Sequence, residues 1–292
     1  MASRLKEALD SGRCAITAEV CPPKGSDCES FLATARSLAP LVDAINVTDN
    51  QGGNMRLSPL AASALLVREE IEPIYQLTCR DRNRLALQSD LLGAAALGIT
   101  NILALTGDHI SFGDHPEGKP VFDLDSVQLL QTISKLNRGQ DLAGNLLLGR
   151  TSFYCGAAAA PDAEPFELIL FKLEKKVAAG AEFFQTQAVF DLERLQRFRT
   201  AISHLPVKVI AGILLLKSAG MARYINRNIP GLAIPLPLVE ELETAGDPVA
   251  RGVEIASRMA REAAAVCDGV HIMAMGREDL IPQIIESVRS KL

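Results

Sequence analysis

The feature that most constrains this chain is a regular alternation of short apolar runs with helical segments. The runs are "CAITAEV" (14–20), "AINVTD" (44–49), "PIYQLTC" (73–79), "NILALTG" (101–107), "LLLGRTSFYCG" (146–156), "EFFQTQ" (182–187), "VKVIAGILLL" (207–216) and "GVHIMAMG" (269–276). They are dense in Val, Ile, Leu and Thr and do not alternate cleanly with polar residues. Such strands are expected to be buried on both faces, as in a parallel sheet. The spacing predicts helices over 28–39, 59–71, 82–97, 123–136, 164–180, 192–203, 218–227, 248–266 and 278–290. Ser26 or Asp27 caps the first of these, and Asp191 caps 192–203. Pro59 takes the first helical position after Ser58. Gly98 and Gly180 stop two helices. The stretch 229–247 is the least regular and is read as a loop with a short helix. Eight β/α units in 292 residues predict an α/β chain, a single (β/α)8 barrel domain over 1–292. A doubly wound open sheet is the alternative. No G-x-G-x-x-G follows the first strand, which counts against its dinucleotide-binding form.

Composition narrows the function classes. Hydrophobic residues make up 48% of the chain, enough for one large core. Net charge is -5, aromatics are 4%, and no dense basic tract occurs, which argues against a nucleic-acid surface. No apolar run reaches membrane-spanning length. "MASRLKEALDSGR" is amphipathic without a signal-peptide core, so a cytoplasmic protein is expected. Six cysteines form no C-x-x-C pair and read as buried thiols.

In such a barrel, chemistry sits at the carboxyl ends of the strands. The polar residues there are Glu19; Thr48, Asp49 and Asn50; Gln76, Thr78 and Arg80; Thr106, Asp108 and His109; Gln185 and Gln187; His271 and Arg277. Glu19 interrupts an apolar run that stops at Pro22-Pro23. Burial of a carboxylate favours its protonated form, which suits a general acid. The structural alternative is a salt bridge locking a loop, for instance to Arg80. The segment 105–126 begins with a sharp turn at Gly107, carries Asp108 at the strand's mouth and then lacks helical period. Long loops of this kind bind ligands, and Lys119 and backbone N–H groups suit phosphate. The alternative is a plain loop whose Asp123 or Asp125 caps the next helix. His109 and His115 have no further ligand spacing around them to make a metal site. Gln185 and Gln187 share a strand face, as heterocycle readers or as buried amides. Arg277 suits a carboxylate or ring carbonyl, or is a surface charge at a helix end. His271 lies in a strand interior and reads as a core histidine.

Taken together, these motifs resemble the methylenetetrahydrofolate reductase family over nearly the whole chain. "AEVCPP" is similar to its F-E-F-x-P-P, "INVTDNQGG" to V-T-x-G-x-x-G, and "QLTCRDRN" to H-L-T-C-x-x-x-N. "ILALTGDH" and "VFDLDSVQLL" resemble its R/T-G-D and F-D-x-D-S-x-x-L segments. "AGAEFFQTQAVFD" resembles A-G-A-x-x-x-x-T-Q-x-x-F-D. The resemblance implies a (β/α)8 barrel with FAD at the strand C-termini. It implies reduction of 5,10-methylenetetrahydrofolate to 5-methyltetrahydrofolate, or the reverse, in one-carbon metabolism and methionine biosynthesis, with NADH or NADPH as donor. Carried over by motif, Glu19 is the general acid, and Asp108 bonds the pterin beside the flavin. Gln187 and Arg277 hold folate. Thr48, Gln76, Thr106, Gly107 and Asp108 line the flavin, and Lys176 lies near its phosphates.

The chain departs from the family pattern at several points. Gln76 replaces the family's histidine, Asp49 a tyrosine or glycine-like neighbour of the flavin, and Met221 a second substrate glutamine. "GAAAAPDA" (156–163) replaces Y-P-E-x-H-P. That alanine-rich pattern resembles shorter homologues, homo- or hetero-oligomeric, that draw electrons from an iron–sulfur or zinc-containing partner subunit. Two further readings are a flavin-free barrel passing hydride from nicotinamide to folate, and a non-catalytic folate-binding subunit.

Overall fold

A computed structural model describes residues 3–229 and 232–290. Eight parallel strands close into a barrel in sequence order. They are β1 (Ala15–Val20), β2 (Ala44–Val47), β3 (Pro73–Thr78), β4 (Asn101–Leu105), β5 (Tyr154–Ala159), β6 (Phe183–Ala188), β7 (Lys208–Leu214) and β8 (Gly269–Met273). The expected barrel is therefore the observed one.

Period-two geometry sorts the side chains of each strand. Ile16, Ala18 and Val20 of β1 face out, with Ile45, Val47, Tyr75 and Leu77, into the main core under the helices. Ala15, Ala44, Ile74, Leu103, Tyr154, Phe183 and Ile210 face in and fill the N-terminal end of the barrel as a second apolar cluster. Leu5, Ala8 and Leu9 of an N-terminal helix, Arg4–Asp10, close that cluster from below. Glu72 holds this helix by accepting from the Arg4 and Leu5 amides and from the Ser3 hydroxyl. The apolar layer seals one end, so polar inward positions can be used only towards the other end.

Caps follow the sequence except at the helix Glu29–Leu38, whose N-cap is Cys28 rather than Ser26 or Asp27, with Asp27 accepting only from the Glu29 amide. Asp125 and Gln128 form a reciprocal capping box on helix Ser126–Asn137. Asp191 caps Leu192–Ala201, Pro59 opens Pro59–Arg68, and Gly180, at φ 115, ends Phe166–Ala179. The 278–290 segment divides into a short 3-10 turn, Glu278–Leu280, and the helix Ile281–Arg289. In 229–247 the short helix is Leu236–Glu243, and residues 230 and 231 lie outside the described residues.

The fifth strand corrects the sequence reading. It begins at Tyr154, not at 146. Residues 139–147 form a small hairpin instead, with Gln140 bridged to Leu146 and the Leu147 amide donating to the Gly139 carbonyl. Leu142 and Leu147 of that hairpin pack on the core, while Leu146 and Leu148 face outward. A leucine run has the composition of a strand whether one or both of its faces are buried. No helix among the described residues is long and apolar enough to cross a membrane.

Candidate active site

Glu19 projects inward near the C-terminal end of β1. Inward parity puts it there, and Pro22-Pro23 then turns the chain away. It is only 7% exposed. The Gln51 side-chain amide donates to Oε1 at 3.2 Å, and His271 Nε2 lies 3.8 Å from Oε2. Arg80 is not its partner, contrary to the salt-bridge alternative. Both nitrogens of the Arg80 fork go to Asp81, and its remaining contacts are to carbonyls of Asn50 and Asp108.

His271 is fully buried, as a core histidine should be, but it also forms the floor beneath Glu19. Its Nδ1 lies 3.0 Å from Thr17 Oγ1, the residue in register with it on β1, and 3.3 Å from Asn46 Nδ2. Asn46 accepts from Gln76 Nε2 through its Oδ1, at 3.1 Å, and so turns its Nδ2 donor to the ring. Nδ1 then accepts, and the neutral ring carries its proton on Nε2, towards Glu19. The sequence reading missed Thr17, Asn46 and Gln51. The signal for the first two is polarity at inward positions of otherwise apolar strands.

Among the described residues, three buried polar atoms at inward positions towards the C-terminal end have no partner, Thr48 Oγ1, Gln185 Oε1 and His271 Nε2; the unpaired Tyr154 hydroxyl belongs to the apolar layer at the other end. Buried polar groups are costly to leave unpaired, so these three are atoms that a bound polar ring would satisfy. Thr48 and Gln185 thus fit the expectation of a heterocycle at this mouth. Gln76 lies deeper, its amide committed to Asn46.

Thr106, Gly107 and Asp108 follow β4. Gly107 turns at φ 93, and a Cβ there would meet the Cβ atoms of Thr78 and Arg80 at 3.1 Å. Asp108 is exposed, and the Thr106 hydroxyl accepts from the Ser126 amide. Beside them opens a cavity of about 410 Å³ lined by Thr106, Gly107, His109, Phe122, Leu124, Asp125 and Gln128. A second cavity, of about 440 Å³, lies at the opposite end near Lys6, Asp10 and Tyr154, away from these groups. The β4 loop is tied to its neighbours through Asp114, which accepts from Lys24, from the Met55 amide and from His115. Those bonds, led by Lys24, hold the Asp114 carboxyl well below the usual range.

Asp49 is buried against Arg82 at 2.8 Å and accepts from both the amide and the hydroxyl of Thr78. It braces the β2 loop from outside the mouth. Lys176 donates to the Ala158 carbonyl at 2.6 Å. Burial pushes its pKa down to about 8, with Lys172 adding to the shift and Asp125 opposing it. A desolvated ammonium of this kind is suited to a phosphate. The neighbouring β5 mouth offers only Ala157, Ala158, Ala159 and Ala160 as side chains.

Gln185 is buried and Gln187 exposed, because a bulge shifts the β6–β7 register between Gln185 and Ala188. The Thr186 hydroxyl stabilises the bulge, accepting from Gly212 N and donating to the Gln187 carbonyl. Arg277 follows a tight turn after β8 and pairs with Asp279 at 2.8 Å. Glu19, Gln51, His271, Thr17, Asn46 and Gln76 therefore form one contiguous network. Asp108 stands on an adjoining loop. Gln187 and Arg277 occupy the mouth without touching that network.

This arrangement has relatives. A family profile described as methylenetetrahydrofolate reductase matches residues 4–289. Methylenetetrahydrofolate reductase 2 of Schizosaccharomyces pombe is 26% identical over 266 residues, which is 82% of this chain and 39% of that protein. The 5,10-methylenetetrahydrofolate reductase of Pectobacterium carotovorum is 27% identical over 209 residues, 70% of this chain and 64% of that protein. The alignments thus span less than two thirds of either relative. Among solved structures, an uncharacterized protein from Clostridium thermocellum that binds two copies of 5-methyl-5,6,7,8-tetrahydrofolic acid superposes with a TM-score of 0.68. It is 14% identical, with 98% of each chain covered, a likeness of fold. With the profile matched almost end to end, the chain belongs to the methylenetetrahydrofolate reductase family.

Proposed function

We propose that this chain is a cytoplasmic enzyme interconverting 5,10-methylenetetrahydrofolate and 5-methyltetrahydrofolate with a bound flavin, Glu19 being the general acid. The observation that carries the reading is the setting of Glu19. It is a buried carboxylate at the strand C-termini, with one oxygen held by Gln51 and the other facing His271. Family membership supplies the substrate class, and the fold neighbour's folate ligand agrees with it.

Flavin, when bound, supplies the hydride carrier. The chain's own residues do the remainder. Thr48, Gly107 and Asp108 would hold the ring, and Lys176 would hold a phosphate. Glu19 delivers its proton to the imidazolidine nitrogen that leaves as the ring opens, and the His271 Nε2–H then faces the carboxylate so formed. A positioned acid of this kind contributes about 10²–10⁴-fold, or roughly 3–5 kcal/mol. Asp108, Gln187 and Arg277 hold the folate, Arg277 after releasing Asp279. Electrons come from NADH or NADPH, or from an iron–sulfur or zinc-containing partner subunit. The alanine-lined β5 mouth favours the partner-supplied route, since it gives a second nucleotide few polar contacts.

The test begins with the absorbance spectrum of the purified protein and dye-linked oxidation of 5-methyltetrahydrofolate. Glu19→Gln is expected to keep the flavin bands and lose about 10²–10⁴-fold in turnover. Undiminished turnover in that variant refutes the acid. A colourless protein that takes up no added flavin refutes the cofactor.

A further inference from the structure

Arg80 is 1% exposed, and each of its side-chain nitrogens has a partner. Nε and Nη2 grip Asp81 at 2.8 and 2.7 Å. Nη2 also donates to the Asn50 carbonyl at 3.1 Å, and Nη1 to the Asp108 carbonyl at 3.4 Å. Its own carbonyl accepts from Val121 at 2.7 Å, the returning leg of the β4 loop. An ion pair with Asp81 needs none of these carbonyl contacts.

The two carbonyls belong to the two loops that complete the site. Asn50 precedes Gln51, which holds Glu19, and Asp108 stands at the head of the β4 loop. Both loops kink where they meet the guanidinium. Asn50 adopts φ 44, a left-handed conformation that asparagine tolerates better than other non-glycine residues. Gly107 turns at φ 93 against the Arg80 Cβ. A planar fork with five donors makes these four bonds at once, two to the carboxylate and one to each carbonyl, and the three donors of a lysine ammonium cannot.

We propose that Arg80 is a positioning residue that ties the β2 and β4 loops at one point, fixing Gln51 on Glu19 and Asp108 at a set distance across the mouth. Its catalytic consequence rests on the proposed function. The tie itself does not.

Arg80→Lys keeps the charge beside Asp81 and loses the fork. The variant is expected to melt cooperatively, to retain flavin, and to lose about 10²-fold in kcat for 5-methyltetrahydrofolate oxidation, with KM changed less than about threefold. Because Arg80 acts through both groups it positions, the triple variant Arg80→Lys/Gln51→Ala/Asp108→Asn is expected to be no slower than Gln51→Ala/Asp108→Asn by more than about twofold. Multiplicative losses, wild-type kcat in Arg80→Lys, or failure of that variant to fold overturns the proposal. If the unmutated protein oxidises no 5-methyltetrahydrofolate, the functional reading fails instead. Amide hydrogen exchange then reads the tie directly. Faster exchange at the Gly53 amide, bonded to the Asn50 carbonyl, and at the Val121 amide, bonded to the Arg80 carbonyl, supports it in Arg80→Lys, and equal protection overturns it.

Discussion

Gly113→Ala isolates the contact between the two loops that border the acid. Gly113 has φ -98 and ψ -165, which alanine adopts freely, so the backbone imposes no strain. The cost is steric. A Cβ at Gly113 would lie 1.8 Å from the Gly53 oxygen and 2.2 Å from its carbonyl carbon. Carbon contacts are comfortable only near 3.5 Å, so the loops must part by roughly 1.5 Å. Both loops lie at the surface, so the global cost is expected to be about 1 kcal/mol or less. For a chain of this length that is a fall in Tm of about 2 °C. Activity responds differently. Gln51 lies two residues before Gly53, and Asp108 heads the loop that carries Gly113. Displacement of the catalytic groups by about 1 Å costs about 10²-fold in rate. Calorimetry beside dye-linked oxidation of 5-methyltetrahydrofolate separates the two effects. Activity within about threefold of wild type would refute the reasoning, and a fall in Tm of about 10 °C would assign the contact to global folding.

Two further outcomes follow from features remote from that contact. Leu9 is fully buried in the plug at the N-terminal end, so Leu9→Ala is expected to cost about 2–5 kcal/mol and lower Tm by about 4–10 °C, leaving kcat at 25 °C unchanged. A loss of kcat without a loss of Tm would contradict the division between the two ends of the barrel. Lys176 has a folded-state pKa of about 8, against an ordinary 10.5. Between those values the unfolded chain binds the extra proton, so Lys176 makes stability rise with pH across that window. A flavin phosphate needs the charged form, so flavin affinity is expected to fall by up to about tenfold per pH unit above 8, and Lys176→Met to abolish that slope. A flat affinity between pH 7 and 9 in the unmutated protein would remove Lys176 from the phosphate site.

Much of the architecture was legible because it is written locally. Eight doubly buried strands, the capping residues Asp125 and Asp191, the stops at Gly98 and Gly180 and the position of Glu19 follow from neighbours within a few residues. Two parts of the architecture were missed. "LLLG" has strand composition but supplies a hairpin, because composition does not record how many faces are covered. The amphipathic N-terminus was read for what it lacks, and its role as a plug depends on an apolar layer assembled from seven strands.

The site was harder to read because its meaning lies in pairings between distant strands. The sequence by itself determined that a carboxylate stands at an inward position near the end of β1, since strand parity and the Pro22-Pro23 stop require only adjacent residues. It did not determine what that carboxylate meets. Closure of the barrel brings β8 against β1 and puts Thr17 in register with His271. The Gln76–Asn46 pair on β3 and β2 then orients the ring beneath Glu19. Arg80, named only as an example of an alternative salt-bridge partner for Glu19, bonds both loops instead for the same reason. A charged side chain takes the acceptors that the fold brings within reach, and only the closed barrel decides which those are.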